Sequence, residues 1–218
     1  MGLAPSFHGV AAAGLLLLAT NALAQTPEER LFEAIEGGKP LVAEGIVARG
    51  GVKLDARNAE RETPLHQAIE KGMRELAAML VKAGAPVNAR SANSETPLHA
   101  AALHADPWFV DLLLAAKADP RLRNDDGETA LQWAVMTGNA QVARHLLERG
   151  ADAKIRDLKG NTLLHAAADG GHLEMASAFL ALGVDPRQQN RAGKRPIEVA
   201  RERGHAEIVK LLERFENE

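Results

Sequence analysis

The sequence predicts an all-α solenoid of stacked helix–turn–helix units, on three observations. The stretch Thr96-Pro97-Leu98-His99-Ala100-Ala101 recurs in varied form at starts 63, 96, 129, 162 and 195, always 33 residues apart. Between starts, the apolar residues fall into two short groups separated by a glycine. The chain of 218 residues is 46% hydrophobic but only 3% aromatic, which suits a core of Ala and Leu between short helices. A unit this small cannot bury its apolar face alone, so a fixed period of this length means that neighbours stack.

Taken in order, Val10–Ala19 is an apolar run, followed by the polar pair Thr20-Asn21 and then Ala22-Leu23-Ala24. Small residues at 22 and 24 fit a signal-peptidase pocket, so residues 1–24 are read as a signal peptide with Gln25 as the mature N-terminus. The run is shorter than the roughly 20 residues that span a hydrocarbon core. One departure from the signal pattern is that residues 1–9 carry no Lys or Arg; an uncleaved anchor or an ordinary N-terminal tail is the alternative. With no Cys in the chain, lipoprotein anchoring, disulfides and thiolate–metal sites are excluded. The expected location is the periplasm, or beyond it outside the cell.

Residues 25–57 read as a degenerate N-terminal capping repeat. Thr26 caps a helix, Pro27 opens it without wasting a donor, and Glu28 and Glu29 suit the positive end of its dipole. Leu31, Ala34 and Ile35 form its apolar stripe, Gly37-Gly38 ends it, and a second helix runs over about 40–48. Residues 58–189 hold four regular repeats, and 190–218 form a C-terminal capping repeat with a charged outer surface. In each repeat Thr63, Thr96, Thr129 or Thr162 caps the first helix, and Pro64 or Pro97 takes its first position. Leu65, Leu98, Leu131, Leu164 and Ile197 enter the core, while Ala68, Ala101, Ala134, Ala167 and Ala200 allow close helix approach. Gly72, Gly138, Gly171 and Gly204 end the first helices in the left-handed conformation.

These residues resemble the ankyrin repeat. The Thr-Pro-Leu-His opening, a glycine nine residues later, an apolar second helix and a close on segments such as Gly84-Ala85-Pro86-Val87-Asn88 or Gly150-Ala151-Asp152 all match, over about residues 28–218. The resemblance implies a curved slab whose concave face is built from projecting turns ("fingers") and first helices. It implies that His66, His99 and His165 hydrogen-bond neighbouring backbone and hold the turn. It also implies a non-enzymatic, monomeric scaffold that binds another protein; supporting an oxidative-stress enzyme or neutralising a toxin as an immunity protein are roles that exported bacterial relatives suggest.

The remaining chemistry is excluded on physical grounds. Net charge −3 gives no positive field for nucleic acid. Ligands of one zinc lie about 4 Å or less from one another, whereas His66, His99 and His165 sit one helix-packing distance apart, about 8–10 Å. The serines are Ser6, Ser91, Ser94 and Ser177, none in a nucleophile turn. Asp125 and Asp126 lie on a finger in open solvent. No enzyme activity, metal or cofactor is expected.

Candidate partner-binding residues come from departures within the columns. Leu103 and Met136 share a column that is otherwise polar (Glu70, Asp169, Glu202). Trp133, one turn before Met136, either packs between repeats or joins them. Large apolar and aromatic side chains in a concave centre are hot-spot material. His104 adjoins this patch. Trp108 takes a column otherwise held by Glu75, Gln141, Glu174 and Glu207, which places it in solvent as a contact residue or as a lid over its own neighbours. Arg90 and Arg123 (with Arg57 and Arg156) and Glu95 and Glu128 (with Glu62) form charged columns bordering the same face, with Asp125 and Asp126 beside them. They form either a ladder of exposed ion pairs or a polar rim that steers a partner. The alternative functions are a secreted host-directed effector and, less favoured, a small-ligand binder.

Overall fold

The structure, a computed structural model, describes residues 25–215. The signal-peptide reading of residues 1–24 and the last three residues of the C-terminal repeat lie outside that range.

The described residues form twelve helices: α1 (Pro27–Glu36), α2 (Pro40–Arg49), α3 (Pro64–Glu70), α4 (Arg74–Lys82), α5 (Pro97–Ala102), α6 (Trp108–Ala115), α7 (Ala130–Met136), α8 (Ala140–Glu148), α9 (Leu163–Gly170), α10 (Leu173–Ala181), α11 (Pro196–Arg203) and α12 (Ala206–Glu213). They pair as α1/α2 through α11/α12. Odd-numbered helices stack on one another in one row and even-numbered helices in a second. No strand is assigned among the described residues.

Local rules place the helix starts. Thr26 accepts from the amide of Glu29 while the Glu29 carboxylate accepts from the amide of Thr26, a capping box that satisfies two orphan donors. At Thr63, Thr96 and Thr162 a histidine takes the role usually held by Glu. The backbone N–H of each threonine donates to Nδ1 of His66, His99 or His165 at 3.1 Å. At Thr129 the Gln132 side-chain carbonyl does the same at 3.1 Å. The columns of Leu65, Leu98, Leu131 and Leu164 and of Ala68, Ala101, Ala134 and Ala167 are essentially solvent-free. Alanine in the second of these columns leaves no bulk between the odd-numbered helices, which lets them approach closely.

The glycine column closes by contact as well as by conformation. Gly138 has φ +76°, and a Cβ there would lie 2.5 Å from the His172 ring. That ring reaches across to the Met136 carbonyl, with Nε2 donating at 3.2 Å.

The fingers are tied into a continuous row. The amide of Ala92 donates to the Glu60 carbonyl at 2.8 Å, Asp125 to Asn93 at 3.0 Å, Leu158 to Asp126 at 2.9 Å and Arg191 to Lys159 at 2.8 Å. One backbone bond per step carries the register from finger to finger.

Candidate functional site

The concave face is built from the fingers and the first helices, and the structure divides its candidate residues into two groups. Leu103 and Met136, near the C-terminal ends of α5 and α7, are each 50% exposed. Nothing in the fold covers them. Met136 also lines a cleft of about 530 Å³ with Glu128, Asp157, Lys159, Lys194 and Arg203.

Trp133 is half-buried. Its indole N–H donates to a Glu128 carboxylate oxygen at 2.8 Å, and its ring meets His99 edge-on, centroids 5.3 Å apart. The core and surface readings of Trp133 therefore both apply: one part of the ring packs on the repeat before it, and the rest borders the groove.

Three expectations are corrected. His104, read as part of the contact patch, is taken up by the stack: its Nε2 lies 2.7 Å from the Ile69 carbonyl and its ring packs on Phe109. Other repeats make the equivalent link from a residue two places later, as Asn139 does by donating to the Ala102 carbonyl at 2.9 Å. The third repeat has Asp106 at that place, so His104 supplies the missing donor. Trp108, expected in solvent, is half-buried against the core. It stands edge-on to Phe109 and under the Arg74 guanidinium, 5.5 Å from the ring centroid. Arg74 in turn pairs with Asp106, whose carboxyl is held below its usual range by the Trp108 amide first and by Arg74.

The third correction concerns the charged columns. Arg57, Arg90, Arg123 and Arg156 do not pair with the glutamates. Each guanidinium donates to a carbonyl of its own finger and to one of the next. Arg90 reaches the Arg123 carbonyl at 2.9 Å, and Arg123 reaches those of Gly127 at 2.8 Å and Arg156 at 2.6 Å. The ladder is therefore arginine to backbone, which holds its geometry without a counter-ion. The glutamates instead accept from finger side chains, as Asn58 to Glu62 at 3.0 Å and Asn124 to Glu128 at 3.3 Å. Burial first, and repulsion from Glu62 and Asp125, raise the Glu95 carboxyl above its usual range. Asp125 and Asp126 are exposed, and neither carboxylate has a cation partner among the described residues.

Each of His66, His99 and His165 spans two repeats. Nδ1 accepts from its threonine, and Nε2 lies 3.2, 3.1 and 2.9 Å from the carbonyls of Glu95, Glu128 and Lys194 on the next finger. Carbonyls only accept, so the ring is the neutral tautomer with its proton on Nε2. Burial, the dominant cause, holds His66 and His99 down to about 4, and lowers His165. Among the described residues no cluster of His, Asp and Glu could hold a metal ion, and no helix is long and apolar enough to cross a membrane.

The sequence pattern described as ankyrin repeats (three copies) matches residues 31–124, 98–190 and 150–217. The chain belongs to the ankyrin-repeat family. Its fold is similar to the crystal structure of the ankyrin repeat domain of Bcl-3, described as a unique member of the IkappaB protein family. The TM-score is 0.73 and the identity 33%, over 88% of this chain and 86% of that one. No protein of curated function matches the chain. Ankyrin repeats are protein-interaction modules, generally without catalytic activity, and the scaffold alone does not name a partner.

Proposed function

We propose that this ankyrin protein is an exported, non-enzymatic scaffold that binds another protein through its concave face. The observation that carries the reading is the exposure of Leu103 and Met136, 50% each, in a column that is polar in the other regular repeats. Trp133 and the cleft beside Met136 adjoin them. Rigid-surface recognition suits such a stack, because its surface is ordered before the partner arrives and association costs less conformational entropy. Export rests on the apolar run over 10–19 and the small residues at 22 and 24. A periplasmic partner, such as an enzyme needing support or a toxin needing neutralisation, fits that location.

Affinity capture from periplasmic extract tests the interaction. A partner held by the native chain and lost by a folded Leu103→Glu/Met136→Glu variant supports the concave face. Equal capture by both overturns it. Export is tested by mass spectrometry of the protein recovered from periplasm: an N-terminus at Gln25 supports cleavage, and an intact N-terminus found in the cytoplasm overturns it.

A further inference from the structure

The apolar strip on the concave face is narrow, and its two flanks differ in charge. Leu103 and Met136 lie one repeat apart, about 10 Å, with half-buried Trp133 beside them. On the adjoining fingertips, the third repeat presents Asp125 and Asp126 with Glu128 at the finger base, next to Glu95 of the second repeat. The fourth and fifth fingertips present Lys159 and Arg191, all four fingertip charges exposed. Neither Lys159 nor Arg191 has a carboxylate partner among the described residues. Lys194 of the fifth repeat already pairs with Glu202 at 2.7 Å, and Arg203 with Asp169 at 2.6 Å, so the unmet positive charge sits at the tips. The arginine column does not cancel this pattern, because Arg57, Arg90, Arg123 and Arg156 run evenly from the first to the fourth finger, each engaged with backbone.

We propose that the occupant of this face is a protein segment of dipolar charge order, with Lys or Arg against Asp125, Asp126 and Glu128, a large apolar side chain on Leu103 and Met136 beside Trp133, and Asp or Glu against Lys159 and Arg191. The inference rests on the concave-face reading above and adds the partner's chemistry and its direction along the array. The third and fifth fingertips are two repeats apart, about 20 Å, which an extended segment of about six residues spans at roughly 3.3 Å each. A polyanion such as nucleic acid would meet the acidic third finger, and a uniformly basic partner would meet the fourth and fifth. Opposite charge at each pole favours one orientation and penalises the reverse, so the charges select while the apolar contact holds.

The test uses the full chain and synthetic peptides: Lys-Lys-Gly-Leu-Trp-Leu-Gly-Glu-Glu, two versions with all four charged residues Lys or all Glu, and one with Leu-Trp-Leu replaced by serines. Affinities are measured by calorimetry at low and high salt. Nitroxide labels on each end of the dipolar peptide are located by broadening of assigned backbone amides. The expected result is that the dipolar peptide binds at least ten-fold tighter than either single-sign version and loses most of that preference at high salt. Its Lys end should broaden the amides of Asp125 and Gly127, and its Glu end those of Lys159 and Gly193. An Asp125→Lys/Asp126→Lys variant should shift the preference to the all-Glu peptide, and Met136→Glu should weaken every peptide that carries Leu-Trp-Leu.

Equal affinities for the three charge patterns, or labels broadening both poles equally, overturn the dipolar order while leaving the concave face intact. Peptides that perturb only the even-numbered helices overturn both readings. Self-association of the chain that excludes the peptides overturns the proposal in favour of a second copy as occupant.

Discussion

At the scale of single residues, the buried histidines do the most. His66 and His99 each accept one hydrogen bond and donate another, so a second proton on Nδ1 would face the threonine N–H donor head-on. Their folded-state values of about 4 lie below the ordinary 6.5. The unfolded chain therefore binds protons in a range where the folded one does not, and stability falls as pH drops from about 6.5 toward 4. Above 6.5 both states are neutral and the effect vanishes. Each ring contributes up to about 3 kcal/mol to this loss. Urea midpoints measured from pH 7.5 to 4 should decline below pH 6.5. His99→Gln should flatten part of that decline, because glutamine already serves as the N–H acceptor at Gln132. Gly138→Ala should cost about 1–3 kcal/mol in urea unfolding, since it combines a left-handed backbone with a Cβ pressed into the His172 ring.

At the scale of elements, the fingers are held by arginine. Arg123→Met removes donors to the carbonyls of Gly127 and Arg156 and should destabilise by about 1 kcal/mol. Since the acceptors are carbonyls, that loss should be the same at 50 mM and 1 M NaCl, whereas an ion-pair ladder would lose its contribution in salt. Unfolding in the two salts separates these cases. Leu131→Ala, in the first turn of α7 and fully buried, should cost about 2–5 kcal/mol. The helices and their order were legible in the sequence, because threonine caps, prolines and glycines recur in one register and each acts on its own turn. The arginine ladder was visible as a column, but its acceptors were not: a carbonyl leaves no mark on the side-chain sequence. Trp108 and His104 went the same way. Their burial follows from Arg74 and Ile69 of the preceding repeat, contacts across repeats that a column reading within one repeat does not register. Leu103 and Met136 were legible because they break a polar column, and such a break is a property of the sequence itself.

At the scale of the whole molecule, each repeat touches its neighbours alone, so stability is a sum of repeat and interface contributions. A lesion at Leu164 in α9 should loosen the fourth and fifth repeats before the first two. Hydrogen exchange of Leu164→Ala should then show faster exchange beyond about residue 160 with little change before residue 90. The row of fingers and the row of even-numbered helices also differ in how they are joined. Every fingertip is joined to the next by a backbone bond of 2.8–3.0 Å and by an arginine clamp, whereas the even-numbered helices are joined by side-chain packing and leave an apolar hollow of about 680 Å³ beside Ala178 between α8 and α10. The array is thus a ruler along its fingertip edge. The graduations along the fingertips are set by backbone bonds, so the charges carried there recur at a fixed interval from one repeat to the next.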